Sequence, residues 1–155
     1  FEHQRNFYKN LFANKNNILL ILTNQIKKAE KFFDQFQKSR VIIKSVEFNE
    51  VNNYFNMSDF AILIRDNNPL NQVASPTKFG EYCFTGLKVL MNKNVRQSYR
   101  NALRINNFVS LNNFNLNNTN SKTRSLISIK SRKYYCRDNY VGEYKSLYDS
   151  MIDYK

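Results

Sequence analysis

The chain has 155 residues, with 24 lysines and arginines against 12 acidic residues, and a formal net charge of +12. This length is sufficient for one domain with a substantial hydrophobic core. One histidine and two cysteines argue against a His-rich metal site and a disulfide framework, and no apolar run reaches the roughly 18 residues of a transmembrane helix. No signal peptide is visible, so a reducing cytoplasm is the expected location.

Periodic spacing of the apolar residues predicts an alternation of helices and strands. In chain order the predicted elements are a helix at 1–12, a strand at 18–23, a helix at 25–38, a strand at 41–46, a helix at 50–58, a strand at 60–64, a helix from 75 to about 85, a strand at 87–91, a helix at 95–105, a strand at 108–111, a helix from about 120, and a helix at 140–154. This alternation predicts one domain with a Rossmann-like α/β fold, a parallel sheet with helices on both faces.

Two sets of side chains on these helices are interpreted as core. The helix at 25–38 carries Phe32, Phe33 and Phe36 on one face, which favours core packing over a stacking platform. Cys83 lies within a predicted helix and is expected to be a small apolar core residue.

The positive charge is spread along the chain rather than gathered in one block. A basic domain of this kind can bind nucleic acid, an anionic membrane surface or phosphorylated small molecules, or it can simply carry a solvated surface. Residues 132–137 interleave basic side chains with Tyr134 and Tyr135, a pattern that can bind single-stranded nucleic acid. One such patch is a weak signal, and no nucleic-acid partner is expected.

The most informative stretch is residues 59–90. A predicted strand at 60–64 is followed by a polar loop at 65–74 and then by a helix start. Ser75 is expected to be the N-cap and Pro76 the first helical residue, where its missing N–H costs nothing. Gly86 is expected to end the helix.

This helix start has the chemistry of a phosphate site. The first N–H groups of a helix have no partner within it, and the macrodipole places partial positive charge there. Lys78 stands at the predicted third position, where a capping glutamate would suit the helix better. It could instead hold a phosphate together with the Thr77 and Lys78 N–H groups, and Glu81, further in, could accept the hydroxyls of a ribose. The alternative is an ordinary helix whose lysine points to water.

Residues 75–82 (SPTKFGEY) and 86–89 (GLKV) resemble the SPxKxxEYxxxGLPV signature of group 1, or family four, glycosyltransferases. That signature lies in the C-terminal, donor-binding domain of the GT-B fold. Residues 51–61 (VNNYFNMSDFA) are similar to the helix and strand that precede it in the family. The resemblance covers residues 15–110 well and the remainder loosely. It implies one half of a GT-B fold, a fragment whose N-terminal acceptor domain is missing and which is inactive by itself.

The resemblance implies a retaining, hexosyltransferase-like enzyme of bacterial polysaccharide synthesis. It would transfer a sugar from a nucleotide-diphosphate donor to a saccharide or lipid-linked acceptor, without a cofactor or metal. An anionic membrane surface at the inner face of the membrane is the expected further partner. The resemblance also assigns roles. Ser75, Thr77 and Lys78 would hold the diphosphate, Glu81 the ribose, and Lys78 and Glu81 would be the catalytic residues.

The family binds the nucleotide base in the loop after the second strand, which here is Lys44, Ser45 and Val46; an ordinary strand end is equally compatible with these residues. Two positions depart from the family pattern. Val73 replaces the first of two glutamates, which usually contacts the donor sugar, and Lys88 replaces a proline. Val73 supports an alternative function, a non-catalytic α/β binding module that has lost transferase activity.

Overall fold

The computed structural model describes residues 4–36, 38–111, 116 and 120–152. Within them the helices are α1 (Arg5–Ala13), α2 (Ile26–Phe33), α3 (Val51–Met57), α4 (Pro69–Val73), α5 (Thr77–Phe84), α6 (Arg96–Ile105), α7 (Ser121–Tyr135) and α8 (Val141–Ile152). The strands are β1 (Leu19–Leu22), β2 (Val41–Lys44), β3 (Phe60–Leu63), β4 (Lys88–Met91) and β5 (Phe108–Val109). Short 3-10 turns occupy Lys38–Arg40, Phe48–Glu50 and Arg137–Asn139.

All strand pairs among the described residues are parallel. β1 pairs with β2, and β3, β4 and β5 pair in that order, with Phe60 opposite Lys88 and Val89 opposite Phe108. The predicted Rossmann-like α/β fold, with parallel strands flanked by helices, is therefore confirmed. The described strands form two hydrogen-bonded sheets, one of two strands and one of three, rather than a single sheet. Ile62 of β3 packs against the core of the first sheet, and Gln4 Nε2 donates to the Ile64 carbonyl at 3.2 Å.

Each sheet has its own hydrophobic core. The first contains the aromatic stripe of α2 packed against α1, with the rings of Tyr8 and Phe33 4.9 Å apart at their centroids. Phe32 and Phe33 are buried, which confirms their interpretation as core residues. The second core lies around β3 and β4 and includes Phe79, Cys83 and Ile127, so it binds α5 and α7 to the sheet. Cys83 is fully buried, as expected.

The polar loop predicted at 65–74 was wrong in part, because α4 lies within it. The Asn68 side chain accepts a hydrogen bond from the Asn71 N–H at 2.8 Å, and Pro69 occupies the first turn. An Asn followed by Pro is a helix-start signal that apolar periodicity does not reveal in so short a helix.

Most other predicted elements differ from the observed ones by a few residues at their ends. Parts of the helices predicted at 1–12, 25–38 and 140–154 fall on residues 1–3, 37 and 153–154, which lie outside the described residues, as do residues 112–115, 117–119 and 155. The helix predicted from about residue 120 begins as expected, since the Asn120 side chain accepts from the Thr123 N–H at 2.8 Å. No helix of the described ranges is both long and apolar enough to cross a bilayer.

Candidate functional site

The candidate site lies where β3 and β4 end. Because these strands are parallel, the loops that follow them meet at the same edge of the sheet, where open α/β sheets bind their ligands. The side-chain amides of Asn92 and Asn94, which follow β4, both donate to the Arg65 carbonyl at 2.7 Å. This pair of hydrogen bonds fixes the backbone directly after β3.

The start of α5 corrects the predicted cap. Helical structure begins at Thr77, and Pro76 occupies the N-cap position with extended backbone. Ser75 is therefore outside the helix and is not its N-cap, and no side chain caps this end. The correction makes Lys78 the second helical residue rather than the third. Pro76 has no side-chain acceptor to offer, so the helix starts without the hydrogen bond that a serine cap would make.

The uncapped start leaves two backbone donors open. The Phe79 N–H bonds back to the Pro76 carbonyl at 3.0 Å, whereas the N–H groups of Thr77 and Lys78 have no backbone or side-chain acceptor within the described ranges. These donors lie at the positive end of the helix dipole. This end of α5 can therefore bind an anion.

The side chains around this helix start suit a phosphorylated ligand. Ser75, Thr77 and Lys78 are exposed, and Glu81 is partly buried. Lys78 and Glu81 are three residues apart, so they are neighbours on the helix surface. Within the part of the chain that the structure describes, the Glu81 carboxylate makes no hydrogen bond. The structure thus places an ammonium, two amide donors and an available carboxylate within the first two turns of one helix.

Tyr82 and Arg65 add to this region. Burial raises the pKa of the Tyr82 hydroxyl, the neighbouring Glu81 carboxylate raises it further, and the Arg65 guanidinium partly opposes both effects. Tyr82 therefore stays protonated at neutral pH. Arg65 was not predicted as a site residue, although a basic side chain that directly follows a buried strand is a signal that could have identified it.

The predicted base-binding residues lie at the end of β2. The Lys44 carbonyl accepts from the Thr23 N–H at 2.9 Å, and the Lys44 Nζ lies 5.5 Å from the centre of the Tyr54 ring. Ser45 is exposed and Val46 is partly buried. Among the described residues, no hydrogen bond or ring contact joins this loop to the start of α5. The two predicted parts of the site therefore make no direct hydrogen bond or ring contact with each other.

Val73, at the position of the family's first glutamate, is the last residue of α4 and is 81% exposed. The polar side chains next to Val73 in α4 already make other hydrogen bonds. The Asn71 amide donates to the Asp66 carbonyl at 3.0 Å, and the Gln72 amide donates to the Asn67 side chain at 3.0 Å. α4 therefore presents an apolar side chain, rather than a carboxylate, just ahead of α5.

Arg124 positions α5, and the sequence did not predict this role. Its guanidinium donates to the Ser58 carbonyl at 2.7 Å and to the Thr85 carbonyl at 3.1 Å. A cation at the C-terminal ends of α3 and α5 complements both helix dipoles and satisfies carbonyls that lack a helical partner. α7 thereby fixes α5 against the sheet.

Two surface clefts lie away from the candidate site. One of about 510 Å³ is lined by Arg132, Lys133, Cys136, Asn139 and Tyr140. Another of about 570 Å³ lies between α2 and β2. Neither is lined by residues 75–81. Across the described ranges, no cluster of histidine, cysteine or acidic side chains could hold a metal ion.

No family model, curated protein or solved structure matches this chain. The geometry at the start of α5 and the motif residues themselves are therefore the features from which a function can be inferred.

Proposed function

We propose that this chain is the donor-binding domain of a GT-B glycosyltransferase, with a nucleotide-diphosphate sugar as substrate. The observation that carries the proposal is the uncapped start of α5, where the Thr77 and Lys78 N–H groups have no acceptor in the described structure and the Lys78 ammonium is exposed. The residues at this start are those of the SPTKFGEY motif. Their position after a parallel strand supports the same assignment.

The chemistry follows from the charge that develops on the leaving group. As the glycosidic bond breaks, negative charge grows on the diphosphate oxygens. Fixed N–H groups and the Lys78 ammonium would stabilise that charge without reorganising. Glu81 would accept hydrogen bonds from the ribose hydroxyls, which orients the donor. A second domain would bind the acceptor. A lipid-linked acceptor would place the enzyme at an anionic membrane surface.

Titration with nucleoside diphosphates tests the binding site. Lys78→Ala should weaken binding roughly tenfold to a hundredfold, the effect of losing a hydrogen bond to a charged group, and in the full-length enzyme it should lower turnover about a hundredfold. Lys28→Ala, which removes an exposed lysine of α2, is the matched control. The proposal would be contradicted if the Lys78→Ala variant bound the nucleotide as tightly as wild type and the Lys28→Ala control do.

Glu81 is tested by the choice of ribose. Wild type should bind a ribonucleoside diphosphate more tightly than its 2′-deoxy form, because the deoxy form lacks one of the two hydroxyls. Glu81→Gln should bind the ribonucleotide more weakly and lose most of this preference, with little effect on turnover once substrate is bound. An unchanged preference would remove Glu81 from the site.

The alternative function is a non-catalytic α/β module that binds a nucleotide without transferring a sugar. The exposed Val73, with no carboxylate on α4, favours it. Sugar transfer by the full-length protein separates the two. Transfer supports the enzyme, whereas nucleotide binding that requires Lys78 but is never followed by transfer supports the module.

A further inference from the structure

The start of α6, the helix that follows β4, has no side-chain cap. Val95 occupies the N-cap position and has no side-chain acceptor to offer. The Tyr99 N–H bonds to the Val95 carbonyl at 2.9 Å, whereas the N–H groups of Arg96, Gln97 and Ser98 have no backbone or side-chain acceptor among the described residues. These three donors lie at the positive end of the helix dipole, which favours an anion but does not by itself identify a ligand.

Ser98 provides an independent observation. The residue is only 3% exposed, yet its hydroxyl makes no hydrogen bond within the part of the chain that the structure describes. The buried Ser131 differs, since its Oγ donates to the Ile127 carbonyl at 2.6 Å. Buried hydroxyl groups in proteins are nearly always hydrogen-bonded. The Ser98 hydroxyl is therefore a donor that a ligand can use.

The position of Ser98 directs its side chain to the helix start. Ser98 is the third residue of α6, the position from which the side chain of a capping box reaches back to the N-cap. It does so because the Cα–Cβ bonds of a helix tilt toward its N-terminus. The Ser98 Oγ is also not among the fully enclosed polar atoms without a partner, which in the described ranges are Arg40 Nε and Asn107 Oδ1. A ligand at the start of α6 can therefore reach it.

The charges around this helix start are positive. Arg96 is the first helical residue and is exposed, and the first turn contains no acidic residue. The Lys93 Nζ lies 5.8 Å from the centre of the Tyr99 ring, which places this ammonium beside the first turn. The Asn94 amide, just before the helix, donates to the Arg65 carbonyl at 2.7 Å. The start of α6 thus lies at the same edge of the sheet as the loop that leads to α5.

We propose that the start of α6 is a second phosphate-binding site, distinct from the one at α5. The N–H groups of residues 96–98 and the Ser98 hydroxyl donate hydrogen bonds to the phosphate oxygens, and Lys93 and Arg96 supply the positive charge. The ligand is a phosphate group, carried either by the nucleotide at α5 or by a second phosphorylated molecule. The inference rests on α6 itself, so it can fail while the donor site at α5 stands, and the reverse.

Titration of the chain with inorganic phosphate, followed through backbone amide NMR signals, tests the site. The signals of Arg96, Gln97 and Ser98 should shift and saturate, but not with chloride at equal ionic strength. Ser98→Ala should weaken phosphate binding at these amides about tenfold, the effect of losing a hydrogen bond to a charged group. Ser131→Ala is the matched control, because it removes the other buried serine hydroxyl, and it should leave the affinity unchanged.

A second pair of substitutions tests the charge. Arg96→Gln should weaken phosphate binding about threefold, as expected for one exposed cation near the anion. Arg104→Gln makes the same change of charge in the last turn of α6, at the end where the dipole is negative, and should have no such effect. Equal affinities of these two variants would show that the phosphate is attracted by the net charge of the chain rather than bound at the start of α6.

A nucleoside diphosphate then identifies the source of the phosphate. If it shifts the amides of Thr77 and Lys78 together with those of residues 96–98, and Ser98→Ala weakens its binding, one nucleotide occupies both sites. If it shifts only Thr77 and Lys78 while inorganic phosphate still shifts residues 96–98, the phosphate at α6 belongs to a second molecule.

Two results would overturn the proposal. One is a phosphate titration that leaves the amides of residues 96–98 unchanged, even if those of Thr77 and Lys78 shift, which would leave the donor site intact. The other is an equal phosphate affinity of Ser98→Ala and Ser131→Ala, with the remaining signals of both variants showing that each is folded.

Discussion

At the scale of single residues, two separate constraints require glycine at position 86: the local backbone conformation and a tertiary contact with α7. Its φ is 75°, and the N–H groups of Gly86 and Leu87 bond to the Cys83 and Tyr82 carbonyls at 3.1 and 2.9 Å. This is the left-handed helix end that favours glycine. A Cβ here would lie 2.3 Å from the Arg124 carbonyl oxygen, so α7 also requires that no side chain is present.

Gly86→Ala should lower the free energy of unfolding by about 2–4 kcal/mol, because it adds backbone strain to a clash with the α7 backbone. Gly80→Ala in the same helix is the matched control. A Cβ at Gly80 meets nothing within 4 Å, so the change should stabilise the chain by about 0.5–1 kcal/mol. Urea denaturation of both variants measures this, and a neutral Gly86→Ala would show that α7 does not pack there.

At the scale of elements, arginines join the ends of helices that are distant in sequence. Arg40 donates to the Phe12 and Asn14 carbonyls at 3.0 and 2.8 Å, at the end of α1. Arg124 does the same for α3 and α5. Both side chains satisfy terminal carbonyls and complement helix dipoles, so each half of the fold uses the same device.

Arg124→Met should destabilise the chain by about 1.5–3 kcal/mol, since it removes charged hydrogen bonds and leaves the Ser58 and Thr85 carbonyls without that donor. Arg100→Met, at an exposed position of α6, should change stability by less than about 0.5 kcal/mol. If α5 also depends on this contact, Arg124→Met should weaken nucleotide binding as well. Equal stability of the two variants would show that the Arg124 contacts are not maintained.

At the scale of the whole molecule, both cores contain groups that must stay protonated. Burial raises the pKa of Tyr8, in the first core, to about 12. Burial likewise raises the pKa of the Cys83 thiol to about 11 and that of Tyr135 to about 12, with Asn101 and Asn107 partly opposing the effect through hydrogen bonds. Ionising these groups is therefore easier in the unfolded chain.

Stability should fall at alkaline pH. The Cys83 thiol has a pKa of 9.0 in the unfolded chain and about 11 in the folded chain. Below pH 9 the thiol is protonated in both states, so its titration does not change the free energy of unfolding. Between these two pKa values the unfolded chain has lost the thiol proton while the folded chain still keeps it. The unfolded state then binds fewer protons, so stability decreases as pH rises. The thiol alone accounts for about 2–3 kcal/mol. Denaturation across this range should show a flatter decline in Cys83→Ala, and an identical slope would contradict the assignment.

Features that depend on neighbours along the chain could be predicted from the amino-acid sequence alone. Apolar runs and helical periodicity identified the strands, most helices and the start of α7 near residue 120, and a glycine signal identified the end of α5 at Gly86. These predictions succeeded because periodicity involves residues within a few positions of each other, whereas the cap predicted at Ser75 was wrong.

Contacts between residues that are distant in sequence emerge only when the chain is folded. The tertiary structure sets the Asn92 and Asn94 amides on the Arg65 carbonyl and brings Arg124 to Ser58, 66 positions away. It also left the loop at 44–46 without a hydrogen bond to α5 in the described structure. Such contacts depend on how sheets and helices pack, and since no periodicity along the chain records them, the sequence alone could not assemble the site.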